Sequence, residues 1–189
     1  MTRQKPSIAE RRAARGEVDD PAVVLEAALR FLEARARSES EVRRRLGQAG
    51  YRSELVDGAI TRLVELGVLD DEAFARAWVE SRDRARPRGE RALRRELALK
   101  GVERGVTDEV LEDRRDAAGD EGTNVDLEAA RRLLARNVRS LERVADSRVR
   151  RQRAYALLAR NGFDPDVCRE ASRELVAEVD EDGEEPPTG

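Results

Sequence analysis

Apolar residues recur along this chain at the spacing of helices, in short runs separated by glycine and proline. After Asp20-Pro21, a side-chain acceptor followed by proline at a first helical position, Leu25, Ala28, Leu29 and Leu32 follow at helical spacing. Ser38-Glu39-Ser40-Glu41 has capping-box spacing and precedes Val42, Leu46 and Ala49, with Gly50 placed to end that helix in the left-handed conformation. Ser53 is the expected cap of a third helix with the stripe Val56, Ala59, Ile60 and Leu63, closed by Gly67. The pattern then returns. Asp70 or Asp71 opens a helix with Phe74, Ala77 and Trp78 on one face, Pro87 and Gly89 break it, and Leu93 and Leu97 carry the next helix to Gly101. Val106 and Val110 begin another, which fades into the polar stretch Asp113 to Asn124, the candidate linker. A third set follows: Leu127, Ala130 and Leu134; then Ala154, Leu157 and Leu158 up to Gly162; then Val167, Ala171 and Leu175 after Asp164-Pro165.

Aligning Gly50, Gly101 and Gly162 exposes an internal repeat. Each has a leucine four residues earlier (Leu46, Leu97, Leu158), an apolar residue directly after it (Tyr51, Val102, Phe163) and another five positions on (Leu55, Val106, Val167). The leucine is the last buried knob of a middle helix, the glycine lets the chain reverse, and the next residue staples the turn. The pattern predicts an all-α fold of three tandem three-helix repeats, over 21–69, 70–118 and 119–179, the last including the linker. Short turns between such units imply an elongated, curved body. Residues 1–20 are polar with no apolar period, and 180–189 are acidic, so both termini are expected to be disordered.

Composition sharpens this picture. Hydrophobic residues are 39% and aromatics 3%, against 41% charged, which suits amphipathic helices rather than alternating strands. The net charge of -3 selects no partner, although basic residues are nearly all arginine. No apolar run approaches a membrane span and no secretory leader is legible, so a soluble, cytoplasmic protein is expected.

Several segments resemble the RecX family. They are Ala28-Leu29-Arg30-Phe31-Leu32, Arg37-Ser38-Glu39-Ser40-Glu41 and Leu46-x-x-x-Gly50-Tyr51, followed by Leu66-Gly67-Val68-Leu69-Asp70-Asp71-Glu72-Ala73-Phe74-Ala75-Arg76-Ala77-Trp78. Arg82, Pro87-x-Gly89 and Glu96-Leu97-x-x-Lys100-Gly101 continue it, and Leu158-x-x-x-Gly162-Phe163 matches less densely. The most specific piece is the Leu-Asp-Asp run followed by Phe-Ala and an aromatic. The resemblance covers roughly residues 22 to 178. It implies three tandem three-helix units that bind the RecA filament on single-stranded DNA. It further implies modulation, usually inhibition, of RecA's ATPase, strand-exchange and coprotease activities in recombination, repair and the SOS response, with no cofactor and no reaction of its own.

The residues themselves carry little catalytic chemistry. There is no histidine, no phosphate-binding glycine loop and no cysteine pair. Asp70, Asp71 and Glu72 sit before a helical stripe and read as N-terminal caps rather than a metal or acid–base cluster. Cys168 falls on a core face with Ala171 and Leu175, and Trp78 reads with Phe74 as core rather than as a stacking platform. No catalytic, metal or cofactor residue is expected, and no small-molecule substrate or membrane.

Binding is what remains. Arg82, Arg84, Arg86, Arg88, Arg91, Arg94, Arg95 and Lys100 bracket the Pro87-Gly89 break, and a second run holds Arg148, Arg150, Arg151 and Arg153. The stripe, with Arg150 and Arg151, is the candidate surface for the RecA filament or DNA phosphates. The plainer alternative is a solvated helix face paired with Glu80, Glu90 and Glu96. A helical DNA-binding transcription factor reading bases through Arg43, Arg44 and Arg45 is the second functional reading, though Arg interleaved with Glu favours protein or backbone contacts. A helical-repeat scaffold for another partner is the third. A monomer is expected, and a weak direct DNA contact is left open.

Overall fold

The computed structural model describes residues 7–117 and 124–182. These form helices throughout, with no strand among the described residues: α1 (Ile8–Gly16), α2 (Pro21–Leu32), α3 (Glu39–Ala49), α4 (Ser53–Glu65), α5 (Asp71–Ala85), α6 (Glu90–Lys100), α7 (Arg104–Asp116), α8 (Val125–Ala135), α9 (Val138–Glu142), α10 (Ser147–Arg160) and α11 (Pro165–Asp182). The expected linker centre around Gly119 and Gly122 and the tail beyond Asp182 lie outside the described residues.

Three three-helix units appear in chain order: α2–α4, α5–α7, and α8 with α10 and α11. Many local signals act as expected. Asp20 accepts the Ala22 amide with Pro21 at the first helical position, and Asp70 accepts the Ala73 amide at the start of α5. Gly50, Gly101 and Gly162 all adopt positive φ, at 105°, 77° and 83°. The carbonyls of Leu46 and Leu158, four residues before two of these glycines, accept the amides of Tyr51 and Phe163 directly after them. That bond closes a helix end by satisfying a carbonyl the helix leaves open.

Other details differ from the sequence reading. The lead-in read as unstructured carries α1, opened by a reciprocal box between Ser7 and Glu10. Ser53 is the first residue of α4 rather than its cap, a position held by Arg52 without a side-chain bond. At α3 only half the box forms: Ser38 accepts the Glu41 amide, while the Glu41 carboxylate turns to Arg35 and Lys100. The third unit contains the extra short helix α9, anchored by buried Leu141. Two stripes are rotated. α2 buries Val24 and Ala28 and leaves Leu29 exposed. α5 buries Phe74, Ala75 and Val79, with Ala77 exposed and Trp78 half-buried.

Two compact units divide the chain. The first holds residues up to Ala75 together with Ala98–Val106, and the second holds Arg76–Leu97 and everything from Thr107. In the first, Val24, Ala28, Val42, Leu46, Val56, Ala59, Ile60, Leu63 and Leu69 form one core, edged by Phe31, Tyr51 and Leu55. In the second, Leu127, Ala130, Leu134, Leu141, Ala154, Leu158, Phe163, Val167, Cys168, Ala171 and Leu175 form another, edged by Tyr155.

Within each unit one helical repeat meets the next through the same contact. In the first unit the buried hydroxyl of Ser38, just before α3, donates to the carbonyl of Lys100 at 2.5 Å. In the second unit the amide of Gly89, just before α6, donates to the carbonyl of Asn161 at 3.1 Å. Ser38 and Gly89 stand at the same offset from their own turn glycines, and Lys100 and Asn161 each directly precede one. A carboxylate reinforces each junction: Asp71 accepts the Glu39 amide and Asp126 the Glu90 amide, both at 2.9 Å.

Candidate partner-binding surface

The residues that sequence alone offers as possible chemistry are structural. Asp70 caps its own helix and Asp71 caps α3. Burial, with neighbouring Asp70 and Glu103, pushes the Asp71 carboxyl above its ordinary range although the Glu39 amide opposes this. Cys168 is fully buried, and its thiol points to the Phe163 carbonyl at 3.6 Å. Burial raises its pKa, so the thiol stays protonated, the opposite of what a nucleophile needs.

The arginine stripe separates into two classes. Arg82 donates to Glu96 at 2.5 Å and lies over the Trp78 ring at 4.3 Å, while the Trp78 indole donates to the same carboxylate at 2.9 Å. Arg88 reaches the other Glu96 oxygen at 3.5 Å and bonds the Asn161 side chain. Arg94 is held by Glu90 and Asp108. Lys100, in the first unit, pairs with buried Glu41 at 3.0 Å. These four serve folding, because each satisfies a carboxylate packed between helices. Arg91 pairs with Asp164 at 2.5 Å, with both side chains exposed to water. Arg84, Arg86 and Arg95 are exposed, and no carboxylate is paired with them among the described residues. The expected alternative partners are partly right: Glu90 and Glu96 take several of these guanidiniums.

The second basic run separates the same way. Arg150 is buried and donates to the carbonyls of Val144 and Ala145 at 3.1 and 3.5 Å. It occupies the offset that Ser38 and Gly89 hold in the other repeats, and α10 begins three residues before it. Its guanidinium therefore closes this chain's own loop and is not open to a partner. Arg151 is exposed and borders a groove with Arg148, Arg169, Arg173 and Tyr155. Sequence reading missed Arg169 and Arg173, which lie on a different helix from the run. It also missed a groove in the first unit whose walls carry Arg11, Arg12, Arg15, Arg30 and Arg45.

Base reading through α3 has little room. Its first turn, where a recognition helix meets base edges, is occupied by buried Ser38 and Glu41 and by Asp71. Arg43 pairs with Asp57 at 3.1 Å, and Arg45 lies over the Phe31 ring.

Family models match three successive stretches: the RecX first three-helix domain at residues 25–63, the second at 70–111 and the third at 124–171. The chain belongs to the RecX family. Relatives include the regulatory protein RecX of Streptomyces coelicolor, 34% identical over 156 residues, covering 82% of this chain and 79% of that one. The regulatory protein RecX of Mycobacterium avium (strain 104) is 37% identical over 153 residues, covering 79% and 83%. The fold is that of solved RecX structures. A crystal structure of RecX from Lactobacillus salivarius superposes with a TM-score of 0.70 at 20% identity, covering 83% of this chain and 97% of that one. A crystal structure of a regulatory protein RecX gives 0.68 at 22% identity, covering 94% and 81%. The all-α, three-unit organisation expected for the family is thus the one found. Among the described residues no helix is long and apolar enough to cross a membrane.

Proposed function

We propose that this RecX-family protein binds the RecA filament on single-stranded DNA and lowers its ATPase, strand-exchange and coprotease activities, without cofactor or reaction of its own. It acts as a cytoplasmic monomer. Family membership supports this choice of partner. The observation that supports the surface is the division of the arginine stripe: Arg84, Arg86 and Arg95 keep exposed guanidiniums after Arg82, Arg88 and Arg94 have been taken up by carboxylates of the same unit. Exposed guanidiniums bind carboxylates and phosphates bidentately and lose less hydration than ammonium groups in doing so. Arg91, tied to Asp164 in a water-exposed pair worth at most about 1 kcal/mol, is readily exchanged to a partner. A direct contact with the DNA backbone inside the filament fits the same groups.

Titrating the protein into RecA hydrolysing ATP on single-stranded DNA tests the reading. A saturable fall in hydrolysis at substoichiometric or stoichiometric protein is expected. An unchanged rate, together with no co-sedimentation with the filament, overturns it.

A further inference from the structure

In the first unit an open groove of about 560 Å³ separates α1 from α2 and α3. Arg11, Arg12 and Arg15 line it from α1, Arg30 and Arg45 from the facing helices, and Phe31 and Tyr51 between them. Among the described residues no carboxylate lines it. Arg30 is tied to Glu26 in an exposed pair, and Arg15 stacks on Tyr51 and donates to the Ala49 carbonyl. Arg11, Arg12 and Arg45 have no carboxylate partner among the described residues.

This arrangement is electrostatically incomplete. Guanidiniums on two facing walls repel one another, and among the described residues no acid lies between them to offset it. α1 itself buries no residue. Packing therefore contributes little to holding it against the repulsion, and an anion between the walls would turn that repulsion into attraction on both sides. Five guanidiniums exceed what a single carboxylate or phosphate engages, so the complement is a polyanion. Aromatic rings interleaved with arginine favour one carrying planar bases, which stack on guanidinium and ring faces.

We propose that this groove binds the phosphodiester backbone of single-stranded nucleic acid, with α1 as its closing wall. No protein partner is needed, so the site stands or falls apart from the RecA reading.

The test is fluorescence anisotropy of a labelled 15-nucleotide oligothymidylate with the full chain, RecA absent. Arg11→Glu/Arg12→Glu lies on a helix with no buried residue, so the core is untouched; Arg45→Glu probes the opposite wall. Each variant is expected to weaken binding about tenfold or more. The slope of log affinity against log salt should fall by about 0.7 for each phosphate that the variant no longer neutralises. A polyglutamate peptide of equal charge is expected not to displace the oligonucleotide. No binding by the unaltered chain, unaltered binding by Arg11→Glu/Arg12→Glu, or equal displacement by polyglutamate overturns the proposal, the last pointing to an acidic protein surface.

Discussion

The buried hydroxyl of Ser38 donates to the main-chain carbonyl of Lys100, 62 residues further along the chain. Lys100 directly precedes the turn glycine of its helix, so a cap residue in one repeat closes the helix end of the next. Gly89 and Asn161 do the same in the second unit. Gly101 and Gly162 are therefore fixed twice, by their own left-handed backbone and by a helix start pressed against them.

A methyl group at Gly162 would approach the Ala92 amide nitrogen and Cβ to 2.5 Å, with φ at 83°. Left-handed strain of about 1–2 kcal/mol and overpacking of about 1–3 kcal/mol add. Gly162→Ala is expected to destabilise by about 2–5 kcal/mol in urea unfolding. Gly58 lies inside α4 with nothing within 4 Å of an added Cβ. Gly58→Ala should instead stabilise by about 0.5–1 kcal/mol, the helix-propensity gain. Equal effects of the same sign would refute the junction account.

Asp126 joins two structural ties in the second unit. One oxygen accepts the Glu90 amide, and the other accepts Arg114 at 2.7 Å. Arg114 is 7% exposed and also grips Asp83 through two bonds of 2.8 and 2.9 Å. Removing one member of a buried network leaves charge without a partner. Asp126→Ala should cost about 3 kcal/mol, and Asp126→Asn, which keeps an acceptor for the Glu90 amide, distinctly less. The check is the difference between their unfolding midpoints.

Burial opposes the charge on Glu41, yet hydrogen bonds from Arg35 and Lys100 hold its carboxyl below its ordinary value of 4.5. A depressed folded-state pKa gives stability that is present above the unfolded value and lost as pH falls through the ordinary glutamate range toward the folded one. Asp71, raised above 3.8 chiefly by burial, has the opposite sign: protonation relieves it, so its destabilising share fades on acidification. Glu41→Gln is therefore expected to lower stability at pH 7 and flatten its loss between about pH 5 and 3. Asp71→Asn is expected to be neutral or stabilising at pH 7. Unfolding curves at stepped pH distinguish the two signs.

What the sequence made legible follows from which interactions are local. The α4 stripe Val56, Ala59, Ile60 and Leu63 is buried as read, because it keeps one helical face at i, i+3, i+4 and i+7, with Leu55 at its edge and Val64 left exposed. In α2 the run Ala22-Val23-Val24-Leu25 offers apolar residues on several faces, and only packing selects Val24 and Ala28. α1 escaped because it has no apolar period, although Ser7-x-x-Glu10 was an available signal. The basic stripe was visible as composition. Which arginines are taken up was not, since Asp108 and Asn161 reach Arg94 and Arg88 from other helices.

That division yields the test of the proposed surface. Arg84→Glu/Arg86→Glu/Arg95→Glu changes exposed groups only, so its melting temperature should stay close to that of the unaltered chain. Inhibition of RecA ATP hydrolysis should weaken about tenfold or more, because each reversal turns an attraction into a repulsion at an anionic partner. Arg82→Ala removes a guanidinium held between Trp78 and Glu96 and should lower the melting temperature by several degrees, with about 1–3 kcal/mol lost as Glu96 keeps only the Trp78 indole and Arg88. At a temperature where it remains folded, its inhibition should match the unaltered chain. Should the triple reversal inhibit normally while Arg82→Ala, still folded, does not, the partner meets the Trp78 cluster and the assignment of Arg84, Arg86 and Arg95 is wrong.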